Sequence, residues 1–315
     1  MKEICIMNRK NKIWTIIGLI LVCALFMVAC NTETGQKKVA KVDSIESDEE
    51  ASGGMTVENI NPEEMEEEIE DKEDENMDES GSAVTTIGGT QNITVATYNI
   101  ATGREVNFDY SIIAADIRNS GAAIVALQEI DQGTLRNGSQ DTMAILSAQT
   151  GMPYYAFAPA LSPYQEGEYG VAVLSKYPIE SYMFFDMPKS SAKEEQRVLL
   201  QTEININGTM LDFYVTHAQS NSITQQLAAA NDYISTSSKF IYAGDFNTSN
   251  YGYFSAIKNS YTIIGSGNPI LTTANYSFDN MVISNNIKSS NVRTYNTGHS
   301  DHYMVLANVA IPNGN

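Results

Sequence analysis

From Ile93 onward, short apolar runs alternate with polar breaks, and most of the runs stop at a residue that can bind a metal or handle a proton. Ile93–Tyr98 is rich in strand-forming residues and ends at Asn99. Ala123–Leu127 ends at Gln128 and Glu129, and Gly170–Leu174 is a further apolar run. Val198–Ile206 and Thr209–Thr216 flank Asn207-Gly208, the pair that most strongly predicts a two-residue hairpin; the second strand stops at His217. Phe240–Ala243 runs into Gly244-Asp245-Phe246-Asn247. Phe278–Ile283 carries Asp279, and a polar loop, 298–302, leads into the strand Tyr303–Val309. Helical periodicity is found in Ser111–Arg118, in Thr142–Thr150 before Gly151, and in Gln225–Ser235. Ligand sites gather where strands end and loops begin, so the polar strand ends are the first candidates for function.

Charge divides the chain into three parts. The formal charge is −19 over 315 residues, but nineteen of the 38 acids lie in residues 31–90, against four lysines there. That stretch is apolar-poor and self-repelling, so it predicts an extended tether without a core. As a flexible coil it would already span about 45 Å r.m.s.. A calcium-binding tract is the alternative reading, although no ligand spacing is visible. Residues 91–315 form one domain with no evident internal repeat and eleven Lys and Arg. No basic cluster marks a protein that coats nucleic acid.

The start of the chain reads as an export signal. Lys2, Arg9, Lys10 and Lys12 precede an uncharged apolar run, Ile13–Ala29. Met27-Val28-Ala29-Cys30 resembles a bacterial lipobox, in which Cys30 would be lipidated and become the new N-terminus. Two acyl chains hold a protein stably on a membrane where one does not. The alternative is an uncleaved anchor, for which the run is at the short limit. Either way the domain is expected outside the cytoplasm, on the outer face of a bacterial cell membrane. The three cysteines (Cys5, Cys23, Cys30) and Trp14 all fall in this segment, which leaves the domain without thiols, disulfides or cysteine-ligated metal.

The strings Ala96-Thr97-Tyr98-Asn99-Ile100, Ala126-Leu127-Gln128-Glu129-Ile130, Val215-Thr216-His217, Ala243-Gly244-Asp245-Phe246-Asn247 and Ser300-Asp301-His302 occur in this order. Together they resemble the endonuclease/exonuclease/phosphatase family, whose fold is that of deoxyribonuclease I. The resemblance covers about 92–311, and Tyr169–Ile179 adds a further similar string. It implies an α/β (α+β) four-layer sandwich, with two mainly antiparallel sheets packed face to face and helices outside. It also implies divalent-metal-dependent hydrolysis of a phosphate ester, with Mg²⁺ the usual ion and Mn²⁺ an alternative.

By that resemblance Glu129 is the principal metal ligand. Asn99 would assist through its amide oxygen or an ordered water, and Asp301 would lie at or near the ion. Asp245 would orient and deprotonate the attacking water, and Asn247 would donate to a phosphate oxygen. His302 would contact the scissile phosphate, held and charged by Asp279. His217 would be a second phosphate-facing imidazole. Mg²⁺ keeps several waters and needs few protein carboxylates, and clustered carboxylates favour a cation between them. Arg136 and Arg197 are candidate phosphate contacts; His299 is read as a loop residue outside the motifs.

The sequence departs from the family's pattern at Val171, where Asn is common, in the short segment 265–275, and at Ala218-Gln219-Ser220 after His217. These departures bear on the substrate. A nuclease- or phosphatase-like hydrolase is the leading reading. A lipid phosphodiesterase of the sphingomyelinase kind and a catalytically silent binding domain are the alternatives. The expected partners are a phosphorylated substrate (nucleic acid, nucleotide, sugar phosphate or lipid head group) and the membrane through the lipid anchor alone, with the protein a monomer.

Overall fold

The computed structural model describes residues 89–314. The export segment, Cys30 and nearly all of the acidic stretch lie outside the described residues. The first strand, β1 (Thr90–Asn99), begins one residue before the expected domain boundary.

The remaining strands are β2 (Ile124–Gln132), β3 (Tyr154–Tyr164), β4 (Gly167–Ser175), β5 (Ile179–Asp186), β6 (Val198–Ile206), β7 (Thr209–His217), β8 (Phe240–Asp245), β9 (Ser260–Thr262), β10 (Asp279–Ser284), β11 (Lys288–Tyr295) and β12 (Met304–Pro312). They form two six-stranded sheets, β11-β12-β1-β2-β4-β3 and β5-β6-β7-β8-β10-β9. Three α-helices accompany them: α1 (Tyr110–Ser120), α2 (Thr142–Thr150) and α3 (Ile223–Ile234).

Three apolar clusters account for the layers. One lies between the sheets and draws Val95, Ala126 and Val173 from the first, Leu200, Val215 and Ile283 from the second. A second joins Tyr98, Leu127 and Leu174 to Ile113 and Ile117 of α1 and Leu146 of α2. The third joins Tyr214, Tyr242 and Val282 to Leu227 and Ile234 of α3. The central strands are therefore covered on both faces. That is why Ile93–Tyr98 and Ala123–Leu127 read as continuous apolar runs and not as alternating ones. The four-layer sandwich expected from the sequence is the fold observed.

Each sheet holds one parallel pair, and these two pairs decide where the polar strand ends go. β1 runs parallel to β2 through the α1 crossover, which brings Asn99 and Glu129 to one edge. β7 runs parallel to β8 through α3, and His217 is the direct register partner of Asp245. β10 is antiparallel to β8, so its first residue, Asp279, also pairs with Asp245. β12 is antiparallel to β1, so the loop that precedes it arrives beside Asn99. All of the chemistry-bearing ends thus meet at a single edge of the sandwich. At Gly244 the strands approach so closely that an added Cβ would lie 2.1 Å from the Thr216 carbonyl oxygen. A side chain there would push β8, and Asp245 with it, off β7.

Candidate active site

The backbone is bent where the site is built. Glu129 has φ +58°, at a β-bulge where the register of β2 against β4 shifts. Bulges of this kind re-aim a side chain. Asn247 has φ +50°, and Ala101, Thr102 and Gly103, just after Asn99, all have positive φ. Clustering of such residues at one edge is the usual mark of a site held by its surroundings.

Asn99 is buried and links both halves of the edge. Its amide nitrogen donates to Glu129 Oε1 and to Asp245 Oδ2, each at 3.1 Å. The backbone N–H of Ala101 can only donate, and it donates to Asn99 Oδ1, which fixes the amide's orientation. The amide oxygen is therefore engaged by backbone, and Asn99 acts here as a bridge between carboxylates. One backbone hydrogen bond leaves the amide oxygen a second lone pair.

The second sheet supplies a network that is satisfied almost entirely within itself. Asp279 Oδ2 and His302 Nδ1 are 2.8 Å apart. His302 Nε2 lies 3.7 Å from Asp245 Oδ2, and His217 Nε2 lies 3.4 Å from the same oxygen. Asp245 Oδ1 accepts from the Asn247 backbone N–H at 2.8 Å. The Asn247 amide nitrogen sits 3.0 Å from His217 Nε2 and donates to the Ala218 carbonyl at 3.0 Å. Arg197 Nη1 is 3.1 Å from His217 Nδ1. A guanidinium can only donate, so Nδ1 is the acceptor and the neutral ring carries its proton on Nε2; that proton faces Asp245, and the approach of the Asn247 amide nitrogen, itself a donor, is a contact and not a hydrogen bond.

The two imidazoles are tuned in opposite directions. Burial pushes the His217 pKa down to about 4; Asp245 works against this, while Arg197 and His302 add to it. His217 is neutral at pH 7. Burial also disfavours charge on His302, but the Asp279 hydrogen bond and charge, with Asp245 and Asp301, outweigh it and hold the ring up at about 9. His302 is an imidazolium at pH 7.

The remaining expected residues lie around this core. Asp301 is half-exposed and bound to Arg104 Nη2 at 2.7 Å; Arg104 Nη1 is 3.8 Å from Glu129 Oε2. Burial raises the Glu129 pKa above the ordinary carboxylate range; Asp245 and Asp301 add to this, while Asn99 and Arg104 oppose it. Arg197 lines a recess with Tyr169, Gly170, Val171 and His217. Arg136 does not join the cluster. Its guanidinium makes two hydrogen bonds to the fully buried Asp131, at 2.6 and 2.8 Å, and packs over Tyr164 and Tyr169. A buried carboxylate needs such a partner, which makes Arg136 a structural cation in this geometry.

Sequence reasoning passed over Arg104 and read His299 as no more than a loop residue. His299 Nδ1 lies 3.0 Å from the buried Asp116 Oδ2 on α1, which ties the 297–302 loop to the helix. Ser300 Oγ finishes the job by donating to the Asn99 carbonyl at 2.7 Å. Arg104 carried no motif signal; its only clue was to be the first basic residue after the Asn99 string.

The donor set fits a hard cation. The carboxylates of Asp245 and Asp279 place ligand atoms within 4.8 Å of one another and of a His302 ring nitrogen, which as an imidazolium ligates no ion. Asp279 Oδ1 is buried without a hydrogen-bond partner. An oxygen-rich, negatively biased pocket of this kind is suited to Mg²⁺ or Mn²⁺.

The description of the Endonuclease/Exonuclease/phosphatase family matches residues 96–302, which span every residue of this edge. The chain belongs to that family. Solved structures of the same fold include an endonuclease/exonuclease/phosphatase from Beutenbergia cavernae (17% identity, 70% of this chain and 72% of that one, TM-score 0.58). They also include D. rerio TDP2 complexed with a single-strand DNA product (14% identity, 69% and 98%, TM-score 0.53). A third is the mannosyl-6-phosphatase of Bacteroides thetaiotaomicron (13% identity, 69% and 99%, TM-score 0.51). Comparison with curated sequences finds no match. Membership of the Endonuclease/Exonuclease/phosphatase family makes this chain one of a class of phosphoesterase hydrolases; the identities to the solved structures carry the fold and no substrate.

Proposed function

We propose that this protein hydrolyses a phosphate ester with the help of Mg²⁺ or Mn²⁺. The observation that carries the reading is the convergence on Asp245 Oδ2 of Asn99, neutral His217 and charged His302 at 3.1, 3.4 and 3.7 Å. A carboxylate so surrounded can accept a proton from water while the groups around it stabilise the new charge.

Glu129 and Asp301 would hold the divalent ion, with Asn99 fixing Glu129. When bound, the ion would supply Lewis-acid stabilisation of charge on the phosphoryl oxygens. Asp245 takes the proton of the attacking water as the new oxygen–phosphorus bond forms and the ester bond breaks. His302, charged and held by Asp279, faces the negative charge that develops on the phosphoryl group. Asn247 and the Nε2–H of His217 offer neutral hydrogen bonds to the phosphate and the leaving oxygen, and Arg197 adds a positive charge behind His217. The acidic chain with few cations suits a substrate engaged through the ion and these few donors, and not through a basic stripe.

The purified protein is expected to cleave bis(p-nitrophenyl) phosphate or p-nitrophenyl phosphate with Mn²⁺ or Mg²⁺, and to stop with EDTA. Absence of turnover on both esters, or turnover indifferent to EDTA, would remove the reading.

We further infer that the enzyme works outside the cell on a lipid anchor at Cys30. The support is the sequence order: basic start, apolar run, lipobox-like string, then the acidic stretch. Intact mass spectrometry should find a diacylglyceryl-modified chain that starts at Cys30; an unmodified chain that starts at Met1 would rule this out.

A further inference from the structure

Arg104 lies between the two carboxylates proposed to hold the metal. Its guanidinium is the only ion-pair partner that either Glu129 or Asp301 has among the described residues. Four carboxylates, Glu129, Asp245, Asp279 and Asp301, meet at this edge, with His302 and Arg104 the cations in contact with them. In the absence of a divalent ion the guanidinium offsets part of the repulsion between these carboxylates.

The residue is built to move at its tip and not at its base. The segment Ala101–Val106 turns through Thr102 and Gly103 at positive φ. Tyr110 packs beneath this turn: its hydroxyl donates to the Thr102 carbonyl at 2.9 Å, and its ring lies 2.8 Å from where a Cβ on Gly103 would stand. The Asn107 N–H closes onto the Arg104 carbonyl at 3.1 Å. The backbone is therefore pinned. The side chain is half-exposed, as are Asp301 and Glu105 to which it also bonds. Exposed ion pairs contribute little and are readily exchanged. A divalent ion binds carboxylate oxygens directly and has twice the charge.

We propose that Arg104 is an internal stand-in for the metal, which competes with the divalent ion for Glu129 and Asp301 and so sets the metal affinity. The inference rests on the proposed metal site at those two residues. Metal entry detaches the guanidinium from both carboxylates; metal loss lets it return. The metal-free protein is thereby kept from presenting bare clustered anions, and occupancy requires a higher free metal concentration than the carboxylates alone would demand.

The test is Mn²⁺ binding to the full-length protein, read by electron paramagnetic resonance of the free ion, for the wild type, R104Q, R104K and E129Q. R104Q removes both the competitor and a nearby positive charge, and should tighten Mn²⁺ binding roughly tenfold. R104K keeps the charge and should stay near the wild-type value. E129Q should bind Mn²⁺ far more weakly than the wild type. Metal-free R104Q should also melt at a lower temperature than the wild type, with a larger upward shift on adding Mn²⁺. An Mn²⁺ affinity for R104Q equal to or weaker than that of the wild type, with E129Q still impaired, overturns the role of Arg104 and leaves the metal site standing. Equal Mn²⁺ binding by the wild type and E129Q overturns both.

Discussion

The two sheets bring unlike halves to the same edge. The second sheet contributes His217, Asp245, Asn247 and Asp279, which are buried or nearly so and bonded to one another, to backbone, or to His302. The first sheet contributes Glu129 at a bulge and Asp301 on a half-exposed loop, held by a single arginine. One half is assembled by the protein alone, as proton-handling groups must be if their pKa values are to be tuned by burial and fixed partners. The other half is left with surplus negative charge and a displaceable partner, as a cation site must be if the ion is to enter. Asn99, the last residue of β1, and His302, in the loop that leads into β12, are the seam, because each reaches a residue of the second sheet.

The largest expected effect separates the halves. Asp245→Asn should lower kcat by at least about 100-fold, as expected for loss of a general base, with Mn²⁺ affinity close to that of the wild type. Glu129→Gln should abolish activity through Mn²⁺ binding, with recovery at high metal concentration. Steady-state rates measured alongside Mn²⁺ titrations decide this. A common loss of Mn²⁺ binding in both variants would merge the two halves into one metal centre built on Asp245, Asp279 and His302, whose ligand atoms also lie close enough.

A smaller effect probes the seam. Asp279→Asn keeps the shape of the His302 partner but removes the charge that holds the ring as an imidazolium. The His302 pKa should fall from about 9, and kcat should drop roughly 10- to 100-fold, the range for loss of an orienting partner. Histidine resonances followed through a pH titration read the first effect directly. An unchanged His302 titration would mean that Asp245 and Asp301, and not Asp279, keep the ring charged.

How much of this was legible beforehand follows the same division. The buried strands of the sheet centres announced themselves, because both faces are covered and the apolar runs are unbroken; Val198–Ile206 matches its expected bounds. β5, β9 and β11 did not, since they lie toward or at sheet edges with mixed, partly exposed residues. β3 is interrupted by Pro159 and Pro163 and also sits at an edge, where proline is tolerated. The motif residues of the second sheet were readable because each closes or opens a strand. Arg104 was not, because its role comes from a turn that carries it across to a loop almost two hundred residues later in the chain. Arg136 shows the opposite case: a lone arginine near a motif looks like a phosphate contact, and the structure pairs it with the buried Asp131 beneath it.

The smallest effect concerns stability in the metal-free protein, and it sets the two histidines against each other. His302 has its pKa raised to about 9, so its stabilising contribution is fully present below the unfolded value near 6.5 and is lost as pH rises through 9. His217 has its pKa lowered to about 4, so below 6.5 the unfolded chain takes up a proton that the folded ring refuses, and stability falls until pH 4. In EDTA, the contributions of these two residues should therefore peak near pH 6.5, with each limb worth on the order of 3 kcal/mol. Denaturant unfolding between pH 4.5 and 9.5 measures it. His302→Gln should flatten the alkaline limb and leave the acid one, and His217→Gln should do the reverse. Saturating Mn²⁺ should change the alkaline limb more than the acid one, because Asp301 is among the charges that act on His302 and is not among those that act on His217. Two limbs that move together with the metal would show that the buried half is not independent of the exposed one.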